Sequence, residues 1–346
     1  MDVAVVGAGI HGASSARNLA ERGHRVTLFE QFEPGHANGS SHGRSRIVRR
    51  AYPDPLYTEF MLEAYPLWTE LEQACGRKLL NEVGLLYFGS EDSDDLDATR
   101  RNLEDLNVPF ELVGPTRIVD FFPALRLIKG EIGIFTPEAG WVEADTALAE
   151  TLRLAKESGC RLLNRKASPN DLRAYDAAIV CPGPWVKDWL PEAPVKISQQ
   201  TVVYLRGGHQ GPVWIEDGPD LMYGFPSDGV SFKVAAHRHG PQTDPGTLQR
   251  DPRQEDLDLA RHLARRRFGI EAPGVIEAQA CLYTNTPTED FLFARLDEHT
   301  FLVSACSGHG FKFGPWVGTV MADVVEGKRQ LPSFPQATSD KRSVDR

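Results

Sequence analysis

A mixed α/β fold built from two interleaved units is predicted by three observations. The chain opens with a strand, a glycine turn and a helix; strand patterns dominate between residues 195 and 283; and beyond residue 301 a strand again runs into a glycine turn and a helix. A length of 346 residues supports about two domains. Residues 1–80, 141–194 and 284–346 are assigned to the first unit, and residues 81–140 and 195–283 to the second, sheet-based one.

The first unit begins with an apolar run over residues 3–6, which leads into Gly7-Ala8-Gly9-Ile10-His11-Gly12 and a helical stretch to Glu21. Gly7 permits the tight turn, Gly9 and the neighbouring Ile10 bring backbone N–H groups toward a pyrophosphate, and Gly12 lets the helix pack on the strand. A second apolar run over residues 25–29 ends in Glu30, about 20 positions beyond the loop, the spacing at which an acid bonds a ribose hydroxyl. This context predicts a Rossmann-like dinucleotide site. The motif alone does not separate FAD from NAD.

Further along, residues 56–76 read as a helix, 84–88 as a strand and 92–106 as an acidic helix with a solvated face. Residues 146–158 are helical, and 176–181 form a buried strand ending in the turn Pro182-Gly183. Strands are predicted over 201–205, 230–237 and 278–283, interrupted by a basic helix over 256–267. A strand over 301–304 runs into Gly308-His309-Gly310, and residues 315–326 are helical with Pro315 in the first turn.

Composition excludes several functions. With 38 basic against 48 acidic residues, the net charge of −10 repels nucleic acid and anionic membranes. No apolar run approaches the ~20 residues of a membrane helix. A first strand starting at Asp2, and a C-terminal Ser343-Val344-Asp345-Arg346 unlike a peroxisomal signal, predict a cytoplasmic protein. Five scattered cysteines, without a CxxC pair, offer no metal or disulfide framework and read as reduced thiols.

Several polar residues stand out. Alternation puts Ser231, Lys233, Ala235 and His237 on one strand face, which by polarity alone reads as an outward-facing surface. Cys281 and Tyr283 share a face of their strand; alone, Cys281 reads as a small apolar residue and Tyr283 as core with a bonded hydroxyl. Arginines at 44, 46, 49 and 50 crowd one stretch and by composition suit a phosphate patch, against which the net acidity argues.

Five motifs, agreeing in order and spacing over nearly the whole chain, carry a family resemblance. They are the N-terminal glycine loop; Asn38-Gly39-Ser40-Ser41-His42-Gly43 with Arg46, Arg49 and Ala51-Tyr52; Tyr223-Gly224-Phe225-Pro226; Ala280-Cys281-Leu282-Tyr283-Thr284; and Ser307-Gly308-His309-Gly310-Phe311-Lys312-Phe313. The sequence resembles the monomeric sarcosine oxidase and N-methyltryptophan oxidase family of flavoprotein amine oxidases. The resemblance implies FAD, attached covalently through Cys281, in a fold like that of glycine and sarcosine oxidases. Ser41, His42, Arg46, Gly308, Gly310 and Lys312 would join the glycine loop and Glu30 in binding it.

By the same resemblance, Arg49 and Lys312 pair with the substrate carboxylate, and Arg46 sits close to the flavin ring. Planar, permanently charged guanidinium groups suit both arginine roles. Lys233 activates O2, a fixed cation favouring the negative charge that develops there. Tyr223, Tyr283 and His237 shape the substrate pocket, and with Lys233 and Arg46 the last two complete the expected catalytic set. Arg44 and Arg50 are expected at the surface or in structural roles, and His309 is expected to be structural or a ring contact.

The implied activity is oxidation of a secondary-amine amino acid to an imine, with O2 reduced to hydrogen peroxide, by a monomer. A flavin dehydrogenase using another acceptor shares these motifs, as does an oxidase of glycated amino acids. The segment over residues 161–175 is shorter than the family's usual run of strands, which predicts a reduced sheet near the adenosine.

Overall fold

The computed structural model describes residues 1–238, 240–247 and 251–334. The C-terminal Ser343-Val344-Asp345-Arg346 lies outside them.

Alternation between parallel strands and covering helices builds a six-stranded sheet from distant parts of the chain. Its order is Leu292–Arg295, Thr300–Ser304, Ala177–Val180, Asp2–Val6, Arg25–Glu30 and Arg161–Asn164. All neighbours are parallel except the Leu292–Arg295 edge. Buried on both faces, the strand Ala177–Val180 near the middle of the sheet is apolar throughout. The helices Ile10–Glu21 and Gly314–Val325 pack closely on one another because Gly318 lacks a Cβ, which would come within 2.6 Å of the Ser14 carbonyl. The short segment after Cys160 supplies the edge strand Arg161–Asn164 and one helical turn, Pro169–Leu172, before the chain re-enters the sheet.

The second sheet has eight strands: Val275–Asn285, Lys196–Arg206, Ser231–Ala236, Met222–Gly224, Val213–Glu216, Leu85–Ser90, Glu131–Thr136 and Glu111–Val113. Its pairs are antiparallel apart from Val213–Glu216 with Leu85–Ser90. The helix Gln254–Phe268 covers one face, held by buried Arg267, which pairs with Glu131 and Glu216. A small sheet of Ser45–Val48, Gly140–Glu143 and Leu80–Asn81 is the third.

Two strands are much longer than expected. Lys196–Arg206 and Val275–Asn285 run for eleven residues each and pair at ten positions, with a register shift between Tyr204 and Leu205. The extra length of Lys196–Arg206 runs through Ser198, Gln199 and Gln200, which are buried but polar, so hydrophobic alternation does not mark them. Lys233 also departs from its reading by polarity: all six residues of Ser231–Ala236 are buried, because this strand lies inside the sheet and both its faces are covered.

Candidate active site

The glycine turn is shaped for a close approach. Gly7 adopts φ +91°, and a Cβ there would lie 2.2 Å from the Cys181 carbonyl oxygen; one on Gly12 would lie 1.9 Å from the Gly7 carbonyl oxygen. Strand and helix therefore meet with only backbone between them. At the end of the next strand Glu30 accepts from the Ala8 N–H at 2.7 Å and the Phe32 N–H at 3.0 Å, with His36 at 3.3 Å. Burial opposes its charge, but hydrogen bonds from His36, Ala8 and Phe32 hold its carboxyl below the usual range.

One continuous cavity runs from this turn, past Glu30, Ser40 and Ser41, to the facing wall of the eight-stranded sheet. It is lined by Gly7, Gly9, Ile10 and Gly12 of the turn, by Gly310, whose carbonyl lies 3.1 Å from the His11 Nε2, and by Arg46, Arg49, Tyr223, Lys233, His237, Cys281, Tyr283, Gly308 and Lys312. Segments far apart in sequence thus converge. His42 is the exception, for it lines a separate depression beside Arg44 and Asp145. The neighbouring Ser41 turns the opposite way, its Oγ accepting from the Ile10 N–H at 3.1 Å, while His42 contributes its backbone carbonyl to Arg46.

Arg46 is anchored by backbone. It donates to the carbonyls of Ser45 at 2.9 Å and Ser40 at 3.0 Å, and its Nη2 lies 3.8 Å from the Cys281 Sγ. Lys233 Nζ donates to the Ser45 carbonyl at 2.7 Å and stands 4.4 Å from the centre of the Phe225 ring. Burial, reinforced by Arg46, pushes the Lys233 ammonium well down from its ordinary value.

Arg49 follows Ser45–Val48, while Lys312 lies in the 3-10 turn Phe311–Phe313 that precedes Gly314–Val325. The Arg49 guanidinium carbon is 3.9 Å from the Tyr52 ring centre, and Lys312 Nζ donates to the Tyr52 hydroxyl at 2.8 Å and the His309 carbonyl at 2.6 Å. Burial, then Arg49 and Arg46, lower the Lys312 pKa. Trp68 fixes the backbone beneath by donating to the Lys312 carbonyl at 2.7 Å.

Tyr283 and Tyr223 meet hydroxyl to hydroxyl at 3.3 Å, and the His237 ring packs on Tyr283 at 5.3 Å. Burial, chiefly, pushes the His237 imidazole down to about 4, with Arg238, Arg49 and Lys312 acting in the same direction and Glu289 opposing. Gly308, at φ +73°, supplies the space these two rings occupy. His309 is held by the Glu289 carbonyl at 3.1 Å and packs on Phe291. Outside the cavity, Arg44 pairs with Glu277 and Asp228 at the surface, and Arg50 pairs with Glu138 over the Tyr65 ring.

Three cavity or supporting residues escaped the sequence reading. Tyr52 stands three positions after Arg49 in a quoted motif, but its pattern carried no role. Ser45 acts through its carbonyl, which no side-chain pattern reports. His36 reaches Glu30 only because the intervening loop turns back.

The chain matches the model of the DAO family, FAD dependent oxidoreductases, over residues 2–324. It is 34% identical to a monomeric sarcosine oxidase of Streptomyces avermitilis, with 93% of each chain covered. It is 30% identical to the peroxisomal sarcosine oxidase of Homo sapiens, covering 96% of this chain and 93% of the relative. With the N-methyl-L-tryptophan oxidase of Salmonella heidelberg the identity is 29%, covering 96% of each. In fold it is similar to NikD, an amino acid oxidase essential for nikkomycin biosynthesis (TM-score 0.82, 23% identity, 95% and 94% covered). L-proline dehydrogenase from P. horikoshii is similar too (TM-score 0.82, 21% identity, 96% and 95% covered).

The glycine turn, the Glu30 carboxylate at the end of the next strand, and the cavity that both line together with Arg46, Arg49, Lys233 and Lys312 fit FAD. The chain belongs to the DAO family of FAD dependent oxidoreductases, within which it is an amine oxidoreductase of the sarcosine oxidase type.

Proposed function

We propose that the protein oxidises a secondary-amine amino acid, N-methylated or cyclic, to an imine, and passes the electrons to O2 to give hydrogen peroxide. The observation that carries this reading is that Arg49 and Lys312, far apart in the sequence, both contact Tyr52 and line the same cavity as Arg46 and Cys281. Two cations of different shape suit one carboxylate, the guanidinium as a fork and the ammonium as a point charge. The names of the sarcosine and N-methyltryptophan oxidases among its relatives support the substrate class.

In this reading Gly7, Gly9, Ile10, Gly12, Glu30 and Ser41 would hold the dinucleotide, the backbone N–H groups around Gly308 and Gly310 would face the ring, and Cys281 Sγ would hold it through a thioether. FAD supplies a two-electron acceptor. The chain's own residues bind and orient the amine. Arg49 and Lys312 take the carboxylate, while Tyr223, Tyr283 and His237 bound the space around the amine substituent. Arg46, Arg49, Lys233 and Lys312 lower the substrate's ammonium pKa, favouring the neutral amine that oxidation requires. His237, kept neutral by burial, accepts a hydrogen bond from that amine without adding charge. Lys233 is the site at which O2 acquires charge.

Residues 1–80, 141–194 and 284–346 form the cofactor-binding part in this proposal, and residues 81–140 and 195–283 the substrate part. A monomer is supported by the name of the Streptomyces avermitilis relative.

The test is the visible spectrum of the anaerobic holoenzyme mixed in turn with sarcosine, other N-methyl amino acids, proline, pipecolate and a glycated amino acid, then with air. Bleaching by an N-methyl or cyclic amino acid, followed by return of colour and one equivalent of peroxide, is expected. A spectrum untouched by all of them overturns the substrate class, bleaching by the glycated compound alone redirects it, and colour that stays away in air favours the dehydrogenase.

A further inference from the structure

We infer that Tyr52 is a positioning residue for the carboxylate clamp, holding the Arg49 guanidinium and the Lys312 ammonium at a spacing from which both donate to one carboxylate. The inference rests on the assignment of those two residues as the clamp.

Two buried cations on one wall repel each other, and each loses hydration. Something must compensate both while leaving donors free for the ligand. Tyr52 offers two different kinds of compensation. Its ring face, negative by quadrupole, lies 3.9 Å from the Arg49 guanidinium carbon, and its hydroxyl oxygen accepts from Lys312 at 2.8 Å. The ammonium has three N–H donors. One goes to Tyr52 and one to the His309 carbonyl, which leaves the third for the cavity that Lys312 lines. The Arg49 Nη1 is likewise tethered to the Ala51 carbonyl, so the guanidinium is held by its edge and its face.

Tyr52 is itself immobilised. It is 4% exposed, and its ring packs against Tyr57, His309 and Phe313 at 5.5, 5.7 and 6.2 Å. Its backbone carbonyl accepts from Asn102 Nδ2 at 3.1 Å, a tie to the helix Asp94–Asp105. The phenol stays neutral, since burial keeps its pKa up at about 12 against the pull of Arg49. Packing alone would be served by phenylalanine; the hydroxyl is the atom that bears on Lys312.

The experiment compares wild-type holoenzyme with Tyr52→Phe. The probe is methoxyacetate, a carboxylate in which an ether oxygen replaces the amine so that no oxidation follows, titrated against the flavin visible spectrum. In parallel, anaerobic flavin reduction is measured at saturating concentrations of whichever compound of the series above bleaches the wild type. Tyr52→Phe is expected to weaken the probe about tenfold or more, the scale of a lost hydrogen bond to a charged group, while the saturating reduction rate changes less than threefold.

An unchanged probe affinity overturns the inference. So does a loss of affinity matched by an equal loss of saturating rate, which marks general disruption of the site. Arg49→Lys and Lys312→Met separate this inference from the reading beneath it. If they weaken methoxyacetate and Tyr52→Phe does not, only the role of Tyr52 fails. If neither changes its binding, or the wild type shows no response to it, the clamp assignment fails and the role of Tyr52 with it.

Discussion

Lys233 Nζ donates to the backbone carbonyl of Ser45 at 2.7 Å, so a lysine buried inside the eight-stranded sheet is tied to the strand that carries Arg46. A carbonyl dipole and the Phe225 ring face are what that ammonium has in place of water. Its proposed work is electrostatic, and removing it should affect one half of the reaction. In Lys233→Met, reoxidation of the reduced protein by O2 is expected to slow by about 10²–10³, the scale of a lost charge-stabilising donor. Anaerobic reduction by substrate should change less than about fivefold. Stopped-flow measurement of the two half-reactions checks this, and equally fast reoxidation would point to another electron acceptor.

Cys281 is 6% exposed, lines the cavity, and has its Sγ 3.8 Å from the Arg46 Nη2. If it carries the cofactor, acid precipitation of the wild type leaves the yellow colour in the pellet, whereas Cys281→Ser releases it to the supernatant. A fluorescent band after denaturing electrophoresis, present in the wild type and absent from Cys281→Ser, is the matching readout. Release of flavin from the wild type would refute the link.

Gly308 sits where no side chain fits. At φ +73°, a Cβ would lie 2.4 Å from the Tyr283 ring and 2.5 Å from the His237 ring. Gly308→Ala should therefore displace both rings and strain the backbone, at a cost of about 1–3 kcal/mol. Activity should fall more than stability suggests, because the displaced residues border the proposed amine site. Thermal unfolding and kcat/KM, measured together, test this; wild-type values for both would show that the two rings need not stay where they are.

Acid sensitivity should come partly from His209. Neither ring nitrogen of this buried residue has a hydrogen-bond partner, it stacks on Phe268 at 4.6 Å, and burial pushes its imidazole down to about 4. A folded pKa below the unfolded ~6.5 means that the unfolded chain binds the proton more readily. The stability tied to neutral His209 is therefore present above about pH 6.5 and lost as the pH falls toward 4. Between pH 7 and pH 5 linkage amounts to about 2 kcal/mol. In His209→Phe that part of the decline should disappear, with stability at pH 7 kept or raised. Urea unfolding at the two pH values decides, and an equal decline in wild type and variant would remove His209 as the cause.

Much of this was legible locally. The glycine turn, its flanking strand and helix, and the helices over Pro55–Cys75 and Gly314–Val325 announce themselves through periodicity, Pro and Gly, because those signals act within a few residues. The helix Pro55–Cys75 even shows its terminators, an Asp54 side chain capping Leu56 and Gly76 at φ +67°. Less legible was Lys196–Arg206, whose Ser198, Gln199 and Gln200 are buried by partners elsewhere in the chain.

The sequence by itself determined the dinucleotide turn, a local pattern, and its five motifs carried the family resemblance that implied FAD and most of the residues on the cavity. Tertiary structure alone decided three matters. It turned Lys233 inward, it directed His42 to a different depression from Ser41, and it set Tyr52 between Arg49 and Lys312. Each depends on which distant segment lies opposite, and a one-dimensional pattern carries a residue's type and phase but not the partner that will cover it.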